Sequence, residues 1–146
     1  MREGVGHAFL FTIVIVILGI IMILLITSMV YSKTYKIKTK ILDIIEKYDG
    51  DIGSARVEIQ SYLTSIGYRR NVDNTQECPT KNGGAVLNNY DIYHYCLYEF
   101  DNTSNLGKYY GALVYIYFDI PFIGNVFEFP VYGETEVLFD KMYIGG

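Results

Sequence analysis

The stretch that most constrains this chain runs from Ala8 to Val30. Its 23 residues hold no charge and no proline, and sixteen of them are Phe, Leu, Ile or Val. About 20 apolar residues in a helix cross the roughly 30 Å hydrocarbon core of a bilayer. Each such residue contributes about −0.3 to −0.6 kcal/mol to insertion, so sixteen supply about −5 to −10 kcal/mol, more than the hydroxyls of Thr12, Thr27 and Ser28 offset. The run is longer than the roughly 7–15 residues of a signal-peptide core, and Tyr31-Ser32-Lys33 is a poor cleavage site, so the reading is a retained transmembrane helix.

The helix is expected to continue past the membrane. No Gly or Pro occurs between Tyr31 and Tyr48, and Ile37, Ile41, Ile44, Ile45 and Tyr48 recur at helical period as one apolar stripe. Gly50 is a fitting stop. A stripe of this kind needs a cover. A second, shorter helix is predicted over 54–66, capped by Ser54, ended by Gly67, with Ile59, Tyr62, Leu63 and Ile66 on one face.

Residues 68–89, with Asn71, Asp73, Asn74, Pro79, Asn82, Gly83 and Gly84, read as loop. Three strands are expected next, over 90–100, 108–120 and 126–140. The last alternates most clearly, with Phe127, Phe129, Val131, Thr135, Val137 and Phe139 on one face and Glu128, Pro130, Tyr132, Glu134 and Glu136 on the other. Pro130 cannot donate a ladder bond, which makes that strand an edge or interrupts it. The fold class is therefore α+β: a long helix, half transmembrane and half amphipathic, a second short helix, and a small antiparallel sheet packed on the helix. The layout divides into a polar head (1–7), a membrane helix (8–30), an amphipathic continuation (31–50) and a globular α+β domain (51–146).

Charge and chemistry exclude several functions. From Ile41 onward the chain has 7 basic and 15 acidic residues, a net of −8, which repels a nucleic-acid backbone. With His7 and His94 the only histidines, a zinc site would need both cysteines and a histidine from beyond the membrane helix, so no metal or other cofactor is expected. No phosphate-cradling Gly-rich loop, nucleophile elbow or Ser-His-Asp arrangement is recognisable. Asp119, Glu128, Glu134 and Glu136 read as solvated strand residues. The expectation is a non-enzyme without a small-molecule substrate. Asn102-Thr103-Ser104 fits the glycosylation triplet, a pattern common by chance.

Two features pull in opposite directions over which side of the membrane the domain occupies. Cys78 and Cys96 form an even pair, which in an exported domain suggests a disulfide and in the cytoplasm would be two free thiols. Lys33, Lys36, Lys38 and Lys40 against the single Arg2 would place the domain in the cytoplasm by the positive-inside rule.

An N-terminal acid, an apolar helix with an amphipathic second half, and a small β-domain with two cysteines together resemble the type IV pilin superfamily. The second helix, the segment Ile120-Pro121-Phe122-Ile123-Gly124 and the strand 131–137 resemble the TadE-like minor pilins, or pseudopilins, of tight-adherence systems. The resemblance implies a structural subunit with an extracytoplasmic domain, whose partners are other pilin subunits and the membrane. It implies that Glu3 neutralises a neighbour's terminal amine, although Gly4-Val5-Gly6-His7 separates Glu3 from the apolar run. It also implies that Phe9, Phe11, Ile15, Leu18, Ile37 and Ile41 lie in a helix bundle. The alternative is a membrane-tethered extracytoplasmic accessory or binding domain that does not polymerise.

Overall fold

The computed structural model describes residues 2–71, 77–88, 91–102, 104, 107–119 and 126–139. Tyr90, Thr103, Ile120, the expected turn 121–125 and Asp140 lie outside the described residues, as do the side chains of Glu3, Phe118, Asp119, Phe127 and Phe139. Helix α1 spans Arg2–Lys47 without a break. The chain divides into two compact units, one ending at Lys33 and one beginning at Thr34.

In the second unit, α1 gives way to a tight turn at Asp49 (φ 51°) and Gly50 (φ 80°). Gly50 N–H donates to the Ile45 carbonyl at 3.0 Å. A Cβ on Gly50 would also sit 2.7 Å from the Tyr110 ring, so both backbone and space require glycine there. Helix α2 spans Ile52–Ser65. Its cap is Asp51 and not Ser54: the carboxylate accepts from Gly53 N–H at 3.1 Å and from the Ser54 hydroxyl at 2.7 Å. Those bonds hold the Asp51 carboxyl below its ordinary range, the Ser54 contribution being largest. Gly67 (φ 64°) follows the helix end, as expected.

Five strands follow: β1 Gly84–Val86, β2 Tyr95–Asn102, β3 Gly107–Asp119, β4 Val126–Glu134 and β5 Leu138–Phe139. All pair antiparallel in the order β1-β2-β3-β4, with β5 also on β3. β4 is an edge, as Pro130 predicts. The sequence missed β1, whose three residues are too few to show a period. It also merged β4 and β5, which Thr135 separates: the Tyr110 N–H donates to the Thr135 hydroxyl at 3.0 Å, and Thr135 N–H donates to the Tyr110 carbonyl at 2.8 Å.

The pleat sends alternate residues to opposite faces, and both faces of β2 and of the middle of β3 carry buried side chains. On one, Tyr95, Leu97, Tyr110, Ala112 and Val114 pack with Ile37, Ile41, Leu42, Ile44 and Ile45 of α1 and Ala55, Ile59 and Leu63 of α2. On the other, Cys96, Tyr98, Phe100 and Leu113 are buried with Cys78. The expected stripe of α1 is therefore covered by the chain's own sheet. Ile37 and Ile41, expected among the helix-bundle contacts, lie in this core. They are 5% and 0% exposed inside the domain and leave no surface for a neighbour.

Two polar side chains complete the ladder where strands fall short. Asn88, 2% exposed, donates to the Tyr95 carbonyl at 3.0 Å and accepts from Leu97 N–H at 2.6 Å, replacing a strand partner. The Tyr68 hydroxyl donates to the His94 carbonyl at 2.9 Å and accepts from Tyr115 N–H at 3.1 Å. Asp91, its side chain 2% exposed, joins α2 to the start of β2. It accepts from Arg56, from Gln60 at 3.0 Å, from the Tyr95 hydroxyl at 3.0 Å and from Ile92 N–H at 2.7 Å.

Candidate functional site

Three surfaces hold the residues that could act on something outside the chain. The first is the apolar part of α1 before Lys33. Phe9, Phe11, Ile15 and Leu18 are 67%, 68%, 53% and 56% exposed. Every large apolar side chain of this run that the structure describes from Val5 to Met29 is likewise uncovered. Its threonines are neutralised internally: the Thr12 hydroxyl donates to the Ala8 carbonyl at 2.9 Å and that of Thr27 to the Ile23 carbonyl at 2.8 Å. A hydroxyl satisfied within its own helix does not impose the cost of an orphan polar group in an apolar medium. Among the described residues, α1 is long and apolar enough to cross a membrane, and it is compatible with a single span. The Glu3 side chain, the proposed assembly residue, lies outside the described residues.

The second surface follows the apolar run. Lys33, Lys36 and Lys40 are exposed, but Lys38 is 9% exposed. Its Nζ lies 4.1 Å from the Tyr35 ring centroid, and a Cβ on Gly133 would meet the Lys38 stem at 2.7 Å. Lys38 thus packs with its stem over the sheet while the aromatic face receives its charge. The lysine series is consequently not a uniform solvated cluster.

The third surface is the outer face of the sheet. Cys78 and Cys96 are joined in a disulfide, which fastens the segment before β1 onto β2. Beyond it lies a network that the sequence did not reveal. His94 stacks on Tyr115 with ring centroids 4.0 Å apart. Its Nδ1 is 2.9 Å from the Glu128 carboxylate and also within hydrogen-bond reach of the Tyr117 hydroxyl. Arg69 lies over the Tyr117 ring, 4.5 Å from its centroid. Burial lowers the His94 pKa, Glu128 opposes the shift and Arg69 adds to it. The imidazole is neutral at pH 7 in this setting and exchanges hydrogen bonds across β3 and β4. The hydroxyls of Tyr68 and Tyr117 are pushed well above the ordinary tyrosine range, chiefly by burial. No hydroxyl or thiol nucleophile of Ser, Thr or Cys bonds to His94 among the described residues, so the arrangement is a strand-to-strand clasp. His94 stood out in the sequence only as a histidine two residues from Cys96. Its partners on β3 and β4 come from strand register, Tyr117 opposite Glu128, which no local pattern encodes.

Among the described residues no three metal-ligating side chains converge. No family model, curated protein or solved structure matches this chain.

Proposed function

We propose that this protein is a structural subunit of the minor pilin or pseudopilin kind. In this reading its α1 packs in a filament of pilin-like chains and its α+β domain is displayed on the extracytoplasmic side. The observation that carries the reading is the contrast along one helix. From Val5 to Met29 the large apolar side chains of α1 are uncovered, and from Ile37 to Ile45 they form the domain's own core. Such a helix joins a folded domain to a long apolar surface that lipid or other helices can cover. The disulfide supports an oxidising compartment for the domain. Glu3, in an otherwise apolar helix bundle, would require an opposite charge from a neighbour, and a terminal amine supplies one. The subunit's role is mechanical and needs no catalysis.

The test is recovery of the protein from cells that make it, after mechanical shearing. A pilin-like subunit enters the sheared filament fraction, and Glu3→Ala keeps it in the membrane fraction with insertion intact. Recovery only from membranes, as a detergent-soluble monomer, overturns the reading. That outcome would favour a tethered extracytoplasmic domain that does not polymerise. A specific observation speaks for this second reading: the aliphatic side chains of Ile37 and Ile41 are buried in the domain, so the long apolar stretch of α1 open to neighbours lies before Lys33. Impermeant thiol labelling of intact cells, before and after reduction, tests the side of the membrane. Labelling only after reduction is the expected result.

A further inference from the structure

Between α1 and α2, within the second unit, lies an open groove of about 350 Å³ lined by Tyr35, Lys36, Thr39, Lys40, Asp43 and Tyr62. We infer that this groove is a headgroup site for an anionic phospholipid of the membrane that the helix crosses, with the lipid phosphate held between Lys36 and Lys40. The inference rests on the membrane-spanning reading of α1 and holds whether or not the chain polymerises.

Helical spacing explains the arrangement. Tyr35, Thr39 and Asp43 stand four residues apart in one row, and Lys36 and Lys40 form the adjacent row, so all five side chains share one side of α1. Tyr62 of α2 closes the groove opposite them. Lys36 and Lys40 are exposed neighbours of like charge; neither has a carboxylate within 4.0 Å among the described residues, though Lys40 feels the Glu58 carboxylate of α2, whose own salt bridge is to Lys47. Like charges four residues apart repel, and a shared anion reverses the sign of that interaction. Thr39 contributes a second, independent sign of a missing ligand: its Oγ1 is buried without a hydrogen-bond partner. Asp43, in no salt bridge among the described residues, supplies an acceptor suited to a headgroup hydroxyl, as a glycerol headgroup offers.

Position selects a lipid over a free phosphate. Only six residues separate Lys36 from Val30, the end of the apolar run, so the chain tethers the groove close to the bilayer surface, within reach of a long lysine stem. Tyr35, 50% exposed, stands where aromatic residues favour the interface. A cluster of lysines beside a membrane helix draws anionic lipid, each lysine strengthening binding about fivefold.

The experiment titrates the full chain in neutral detergent micelles with short-chain phosphatidylglycerol, short-chain phosphatidylcholine and inorganic phosphate, and reads bound ligand by native mass spectrometry. Phosphatidylglycerol should bind at least about tenfold more tightly than either of the other two. The double variant K36Q/K40Q should lose about thirtyfold in affinity for it. K81Q, which removes the same charge from the Lys81 that lies over Tyr132, should lose little, and K36R/K40R should bind as the parent does. Equal affinity for the two lipids, unchanged binding by K36Q/K40Q, or a loss in K81Q as large as in K36Q/K40Q overturns the inference. Inorganic phosphate binding as tightly as phosphatidylglycerol also overturns it, in favour of a free-phosphate site.

Discussion

Replacing Ile41 by alanine separates the two roles that the long helix could give this residue. Ile41 is fully buried, in the cluster that holds Ile45, Ile59, Leu63 and Leu97. The substitution removes three carbons, about 2.4 kcal/mol at about 0.8 kcal/mol each. Incomplete collapse of the surrounding helices and sheet adds a cavity term, for a total of about 3–4 kcal/mol. In a unit of about 110 residues each kcal/mol moves Tm by about 4 °C, so the melting point should fall by about 12–16 °C. Phe11→Ala is the control. Phe11 is 68% exposed and lies outside the unit that begins at Thr34, so its removal should shift Tm by less than about 2 °C. Both variants are melted as full chains in detergent at several protein concentrations, followed by near-ultraviolet circular dichroism. Concentration matters because association stabilises by mass action. A fall of less than about 4 °C for Ile41→Ala, together with weaker self-association, would refute the placement of Ile41 in the domain core.

Three further outcomes are expected. Replacing Cys78 and Cys96 together by alanine should cost about 3 kcal/mol through loop-closure entropy, because the bridge joins residues 18 apart; urea unfolding of the full chain measures it. Asp91→Ala should cost about 3–5 kcal/mol, because it leaves Arg56, Gln60 and Tyr95 facing a vacated acceptor, and the loss should exceed that of Asp91→Asn in the same assay. Burial depresses the folded pKa of His94 below the ordinary value of about 6.5, so its contribution is present above that pH and is lost as pH falls through the window beneath it. The urea midpoint should therefore drop between pH 7 and pH 5, and more shallowly in His94→Phe. An identical slope in that variant would remove His94 from the account.

What could be read from the sequence divides along physical lines. The membrane run, the amphipathic continuation and the second helix were legible, because helical period repeats over many residues and the apolar faces are long. The cysteine pair was legible as a bridge once export was assumed. Pro130 announced an edge strand. Other features depend on distant parts of the chain. β1 is three residues long inside a turn-rich stretch. Asp51 and Ser54 are both good caps, and only the position of the preceding turn chooses between them. Within β2, Tyr95 and Leu97 pack with the helices while Cys96, Tyr98 and Phe100 pack with Cys78 on the other face. Alternation vanishes as a signal when both faces are covered. Phe129 was expected on the apolar face of its strand and is 53% exposed. The clasp of His94, Tyr117 and Glu128 and the groove beside Lys36 arise from register and helix packing, which no single window of sequence contains.

The tyrosines of the core have an optical consequence. The chain has 15 of them and no tryptophan. Burial drives the hydroxyl pKa of Tyr95 far above its ordinary value and that of Tyr98 up to about 12. In the unfolded chain the same hydroxyls give up their protons near pH 10. The folded state therefore keeps protons that the unfolded chain releases, so its stability is full below about pH 10 and drains away as alkalinity increases. A core hydroxyl ionises readily only when the domain comes apart, so the ultraviolet band of tyrosinate should rise cooperatively with unfolding. The protein carries a built-in indicator dye, whose colour change in strong base marks the loss of its own architecture.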